Sequence, residues 1–122
     1  MIKGEVFVVD DEAGIRLLLS EIIRQEDFNV SNFEQSDVAF KQALASPPKL
    51  IFLDYLIEPT RGDRFVKKLS EHSVGIPVVL MSGMAKQELE DNLGDLRVMD
   101  ILEKPFSVEE VKKILQQLSV DV

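Results

Sequence analysis

Five side chains of this 122-residue chain could share one piece of phosphate chemistry if the fold brought them together. They are the carboxylates of Asp10, Asp11 and Asp54, the hydroxyl of Ser82 and the ammonium of Lys104. Carboxylates held close repel one another, and relief comes from taking up protons or from binding a cation. Oxygen donors without His or Cys favour a hard ion, Mg2+ or Mn2+, which keeps waters for a further ligand such as phosphate. Lys104 would add a point charge suited to phosphate. Ser82 would add a hydroxyl donor, and Gly83 beside it has no side chain to block approach. An aspartate facing a hard cation, a lysine and a hydroxyl is a site for phosphoryl transfer onto a carboxylate. Taken singly, each residue also has an ordinary reading: Asp54 starts a turn, Asp11 caps a helix, Lys104 is solvated and Ser82 is a loop hydroxyl.

The elements that must position them follow from hydrophobic periodicity. Val6 to Val9 is a β-branched apolar run that reads as a first strand and ends at Asp10-Asp11. Ile15, Leu18, Leu19, Ile22 and Ile23 then line one face of a helix over residues 12–25, with Asp11 as a plausible N-cap and Glu12 suited to its positive end. Residues 28–33 are a weaker strand, suited to an edge. Ser36 is expected to cap a second helix over 37–45, with Ala39, Phe40, Ala43 and Leu44 inward, stopped by Pro47-Pro48. Leu50 to Asp54 is a buried strand closed by an acid, followed by a loop to Gly62 and a third helix through Phe65, Val66 and Leu69. Residues 76–81 form a fourth strand ending at Ser82-Gly83. Residues 86–93 form a short helix, and residues 98–102 a fifth strand ending at Glu103-Lys104-Pro105. Ser107 and Glu110 make a capping box for the last helix, whose inward residues are Val108, Val111, Ile114, Leu115 and Leu118.

Five strand–helix repeats with continuously apolar strands imply a parallel sheet covered on both faces, a three-layer α/β sandwich. All strands of such a sheet end on one rim, where these folds bind ligands. Asp10 and Asp11, Asp54, Ser82 and Lys104 each stand at a strand end.

Composition narrows the alternatives. At 122 residues the chain suits one domain, residues 1–122, and only Ser119 to Val122 follow the last inward position of the final helix, so no output domain is expected within it. The 45% hydrophobic content builds a core. With no cysteine, disulfides, thiolate metal sites and thiol nucleophiles are excluded. A net charge of -8 disfavours direct nucleic acid contact. No apolar run is long enough for a membrane span and no signal peptide opens the chain, so the expected location is the cytoplasm. His72 lies in a polar helix end and reads as solvent-exposed. Glu88, Glu90 and Asp91 read as a solvated helix face.

The succession Val9-Asp10-Asp11-Glu12, Leu53-Asp54, Met81-Ser82-Gly83 and Glu103-Lys104-Pro105-Phe106 resembles the receiver domain of two-component response regulators, over essentially the whole chain. The resemblance implies the flavodoxin-like strand order 2-1-3-4-5, which makes four of the strand ends neighbours. It implies that Asp54 accepts phosphate from the phosphohistidine of a sensor histidine kinase or a histidine phosphotransfer protein. Mg2+ would be held by Asp10, Asp11, Asp54 and the carbonyl of Leu56. Lys104 would bridge to the phosphate, with a cis Lys104-Pro105 bond, and Ser82 would act as the switch. A downstream output protein or domain and a phosphorylation-dependent homodimer are the implied partners. The domain would catalyse only its own phosphorylation and dephosphorylation.

Three departures from the family pattern stand out. Glu58-Pro59 and Arg61-Gly62 replace the usual residues of the loop after Asp54. Ile101 occupies the second switch position, where an aromatic is usual. Arg97-Val98 replaces the small pair before the fifth strand. Leu56 and Met84 align with the positions flanking the phosphate and cannot orient a water, so slow dephosphorylation is expected. Three other readings compete. A haloacid-dehalogenase-type phosphatase would need a second acid two residues after its nucleophile, where this chain has Leu56. A receiver fold used only for docking would have no need of the three acids. A nucleotide or flavin site lacks its glycine-rich motif.

Overall fold

In the computed structural model, which describes residues 1–120, the elements alternate strictly. They are β1 (Glu5–Val9), α1 (Ala13–Gln25), β2 (Asn29–Phe33), α2 (Ser36–Ala45), β3 (Leu50–Asp54), α3 (Gly62–Glu71), β4 (Val78–Ser82), α4 (Lys86–Leu93), β5 (Asp100–Glu103) and α5 (Val108–Val120). The side chains of residues 119 and 120, and residues 121 and 122, which include the expected terminal tail, lie outside the described residues. The sheet is parallel throughout with order β2-β1-β3-β4-β5, the flavodoxin-like arrangement.

Alternation along the strands divides the core into two layers. Phe7, Val9, Ile51, Leu53, Leu80 and Ile101 pack with Phe40, Phe65, Leu69 and Leu89 from α2, α3 and α4. Val6, Val8, Leu50, Phe52, Val79, Met81 and Leu102 pack with Leu19, Ile22, Ile23, Val111, Ile114 and Leu115 from α1 and α5. Each fully buried Leu, Val, Ile, Phe or Met side chain contributes about 1.5–3 kcal/mol relative to exposure. The two layers together hold β3 at the centre, and that fixes the height at which Asp54 leaves the sheet.

Several boundaries differ from the sequence expectation. β2 begins at Asn29, so Phe28 precedes it. β4 begins at Val78: Pro77 has no N–H to give a ladder and serves instead as acceptor for Ile51 N–H. β5 begins at Asp100, since Met99 N–H donates to Val78 O and only then does pairing become regular. Leu18 is 40% exposed, not inward. The buried stripe of α1 is rotated towards Ser20, whose Oγ accepts from Asn32 Nδ2 of β2 at 3.0 Å. Leu44 and Val108 are also exposed, at the edges of their helices.

Two cap assignments change as well. Glu12, not Asp11, is the N-cap of α1, and its N–H donates to Asp10 Oδ1 at 2.9 Å. Gln35, not Ser36, precedes α2. Ser36 is buried, accepts from Thr60 N–H at 2.8 Å and donates its own N–H to Glu58 O, so it ties α2 to the loop after β3. The capping box of α5 is present in both directions: Ser107 N–H donates to Glu110 Oε1 and Glu110 N–H to Ser107 Oγ.

Candidate functional site

The C-terminal rim of the sheet carries the site. Register aligns Val9 of β1 with Leu53 of β3, Asp54 with Met81 of β4, and Ser82 with Glu103 of β5. Asp10, Asp54, Ser82 and Lys104 therefore leave adjacent strands at the same level. Lys104 is pulled in from beyond β5 by its backbone, whose N–H donates to Ser82 O at 2.7 Å. The Lys104-Pro105 bond is cis, as the resemblance implied, and Glu58-Pro59 is cis as well.

The lysine ammonium is the electrostatic centre. Lys104 Nζ lies 3.0 Å from Asp10 Oδ2, 3.2 Å from Glu12 Oε1 and 3.3 Å from Asp54 Oδ1. Asp10 is fully buried, and the Lys104 and Asp54 side chains are only 17% and 13% exposed. Burial works against the charge on Lys104, but Asp10, Asp54 and Glu12 outweigh it and hold the pKa above the usual lysine value. Asp54 moves the other way from most paired acids. Desolvation raises its pKa, Lys104 opposes that, and Asp10 and Asp11 raise it further. Asp54 is thus a carboxylate on which burial and like charge outweigh a single ammonium.

Carboxylate oxygens of Asp10, Asp11 and Glu12 all lie within 4.8 Å of one another. Hard oxygen donors with one buried member and two open to solvent fit a cation that retains waters. Glu12 belongs to this group although its sequence position suggested only a helix-dipole partner. The unbroken acidic run Asp10-Asp11-Glu12 was the available signal. Asp54 is joined to this group through Lys104 and Asp10.

The remaining residues singled out from the sequence divide by position. Ser82 is buried and its Oγ accepts from Met84 N–H at 3.0 Å, inside the turn that leads to α4. Leu56 projects its side chain to solvent, 64% exposed, two residues beyond the end of β3. Met84 is partly buried against the α2–α4 core layer. Ile101 is packed in that same layer. His72 is exposed, its Nδ1 against Lys68 O. Among the described residues no helix is long and apolar enough to cross a membrane.

Known proteins share this arrangement. A family model described as the response regulator receiver domain matches residues 6–116. The phosphate regulon transcriptional regulatory protein PhoB of Escherichia coli is 33% identical, over 93% of this chain and 52% of PhoB. The probable transcriptional regulatory protein TcrX of Mycobacterium tuberculosis is 32% identical, over 93% of this chain and 48% of TcrX. The chain thus spans about half the length of these curated relatives. Sporulation initiation phosphotransferase F of Bacillus subtilis is 23% identical, but there the match covers 94% of the relative. Among solved structures, the receiver domain of NtrX from Brucella abortus superposes with a TM-score of 0.84 at 24% identity, over 96% of this chain and 99% of that one, a likeness of fold. With the family model spanning nearly every element and the acids, hydroxyl and lysine all on one rim, this chain belongs to the response regulator receiver domain family.

Proposed function

We propose that this receiver domain, residues 1–122, takes a phosphoryl group onto Asp54 from the phosphohistidine of a sensor histidine kinase or histidine phosphotransfer protein. The observation that carries the reading is the contact of one Lys104 ammonium with both Asp10 and Asp54 at the sheet rim. An Asp54 oxygen forms the new bond to phosphorus as the bond from phosphorus to the donor imidazole nitrogen breaks. The electron pair of that bond leaves with the imidazole. Converting the Asp54 carboxylate to an acyl phosphate adds negative charge beside Asp10 and Asp11, so the product needs Lys104 and a bound cation to offset it.

A Mg2+ (or Mn2+) ion held by Asp10, Asp11, Asp54 and the Leu56 carbonyl would neutralise charge on the phosphoryl oxygens. Glu12 stands close enough to assist through water. Lys104, freed from Asp54, is positioned to follow the charge onto the phosphoryl group. Ser82 has a hydroxyl proton available to donate while its oxygen is held by Met84 N–H. Turnover phosphatase activity has no support here, because Leu56 offers no second acid. The chain would catalyse only its own phosphorylation and dephosphorylation, in the cytoplasm. It would signal to a downstream output protein or domain, with a phosphorylation-dependent homodimer as one arrangement, and without touching nucleic acid itself.

The test is incubation with acetyl phosphate or beryllofluoride in the presence of Mg2+, with Asp54→Asn as control. An Asp54-dependent adduct is expected by mass spectrometry or 19F NMR. An adduct formed equally by Asp54→Asn, or no adduct at all, rejects the reading.

A further inference from the structure

The residue that follows the acceptor is bonded to more of the fold than its position in a loop suggests. Tyr55 N–H donates to Met81 O of β4 at 2.9 Å, and Tyr55 O accepts from Gly62 N–H, the first residue of α3, at 2.8 Å. Its ring is buried in the same core layer as Phe65 of α3 and Leu89 and Leu93 of α4. Its hydroxyl reaches Asp63 Oδ2 of α3 at 3.5 Å. Arg61 lies over the ring, 5.7 Å from its centroid, and pairs with Asp63 at 3.2 Å. Gly62 is required here because a Cβ would come within 3.0 Å of Tyr55 Cα and 2.9 Å of Leu80 Cδ2.

Ile101, by contrast, is an aliphatic side chain within the core, with no polar end to exchange partners. We propose that Tyr55, through Asp63 and Arg61, relays the state of Asp54 to the start of α3 and to α4, in place of an aromatic at position 101. The relay rests on the phosphoacceptor reading of Asp54. The first step is peptide adjacency: Tyr55 follows Asp54 directly, and its own backbone is bonded to Met81 O of β4 and Gly62 N–H of α3. The second step is polar. The Tyr55 hydroxyl donates to Asp63 Oδ2, and Asp63 in turn pairs with Arg61 at the start of α3. A small movement of the ring alters its bond to Asp63 of α3 and its packing against Leu89 and Leu93 of α4. The receiving end of α3 presents Arg61, Arg64 and Lys67 to solvent, so the surface being moved is a basic one in a chain of net charge -8.

Tyr55 is the single tyrosine and there is no tryptophan, so tyrosine emission reports this side chain alone. With beryllofluoride and Mg2+, the unmodified protein is expected to change its tyrosine emission. Hydrogen exchange over residues 60–71 is expected to change at least about fivefold, the lower end of ordinary coupling between sites. Asp54→Asn should show neither change. Tyr55→Phe should still form the adduct by 19F NMR yet lose most of the α3 response, and Asp63→Asn should weaken it. An α3 response of full size in Tyr55→Phe overturns the relay. So does adduct formation with unchanged emission and exchange in the unmodified protein. Failure of the unmodified protein to form the adduct rejects the phosphoacceptor reading itself, and the relay with it.

Discussion

Replacing Lys104 with methionine removes the only cation paired with the fully buried Asp10 carboxylate among the described residues. Asp10 keeps one other hydrogen bond described for its carboxylate, from Glu12 N–H. Breaking a buried ion pair by deleting one partner costs about 3–5 kcal/mol. This pair stands at a rim where Lys104 retains 17% exposure and the third carboxylate, Glu12, is largely open to solvent, so water screens part of the loss. A cost of about 2–3 kcal/mol is therefore expected for the metal-free protein. With a urea dependence of about 1.5 kcal/mol/M, the unfolding midpoint should fall by about 1.3–2 M.

The folded-state pKa of Lys104 is raised, so its contribution is complete below the unfolded lysine value of 10.5 and is lost only as pH rises through the still higher folded value. The difference between the two proteins should accordingly be the same at about pH 7 and pH 9. Mg2+ should restore more stability to the variant than to the unmodified protein, since three carboxylates then await a cation without a competing ammonium. At ten times the dissociation constant, an ion adds about 1.4 kcal/mol. The measurement is urea unfolding followed by circular dichroism, in EDTA and over a Mg2+ series. A midpoint within about 0.3 M of the unmodified protein in EDTA, on a slope of ordinary size, would refute the electrostatic account of the rim.

Other expectations follow from the same geometry. Because the folded pKa of Asp54 is raised above 3.8, its contribution to stability is present at pH below 3.8 and lost as pH rises through the folded value. Asp54→Asn should therefore stabilise the metal-free protein at pH 7, with the gain disappearing in acid, as thermal unfolding across pH will register. A carboxyl 13C titration should place Asp54 above 3.8 without metal and lower with Mg2+; a midpoint below 3.8 in EDTA contradicts the burial argument. Leu56→Asn should shorten the lifetime of phosphorylated Asp54, since neither Leu56 nor Met84 can orient water; a lifetime of seconds in the unmodified protein with Mg2+ present would count against this. Ser107→Ala should cost about 1 kcal/mol by opening the α5 capping box, read as a lowered urea midpoint with an unchanged slope.

Much of the site was legible because strands and helices announce themselves locally. The apolar run of β3 is buried on both faces, and that alone fixed Asp54 as the residue at which the strand meets solvent. Asp10, Ser82 and Lys104 were likewise read from the end of an apolar run, although Asp10 and Ser82 are buried at that rim. Ser107 and Glu110 identified their own helix start, since a capping box spans four residues and needs no distant partner.

What local pattern could not supply was contact between residues far apart in the chain. Ser36 looked like a helix cap and became a tether for Thr60, because the loop after β3 brings an unpaired N–H to it. Leu18 fitted the apolar stripe of α1 but lies exposed, because Ser20 bonds Asn32 across to β2 and turns the helix. Glu12 joined the acidic group only when Lys104 arrived from the far end of the chain. The sequence by itself determined which residues end the strands, since that depends on the alternation of burial along each segment. Only the tertiary structure decided that one ammonium would contact Asp10, Glu12 and Asp54 and that Tyr55 would join the end of β3 to α3 while packing against α4. Those outcomes depend on strand order and helix rotation, which no single segment encodes.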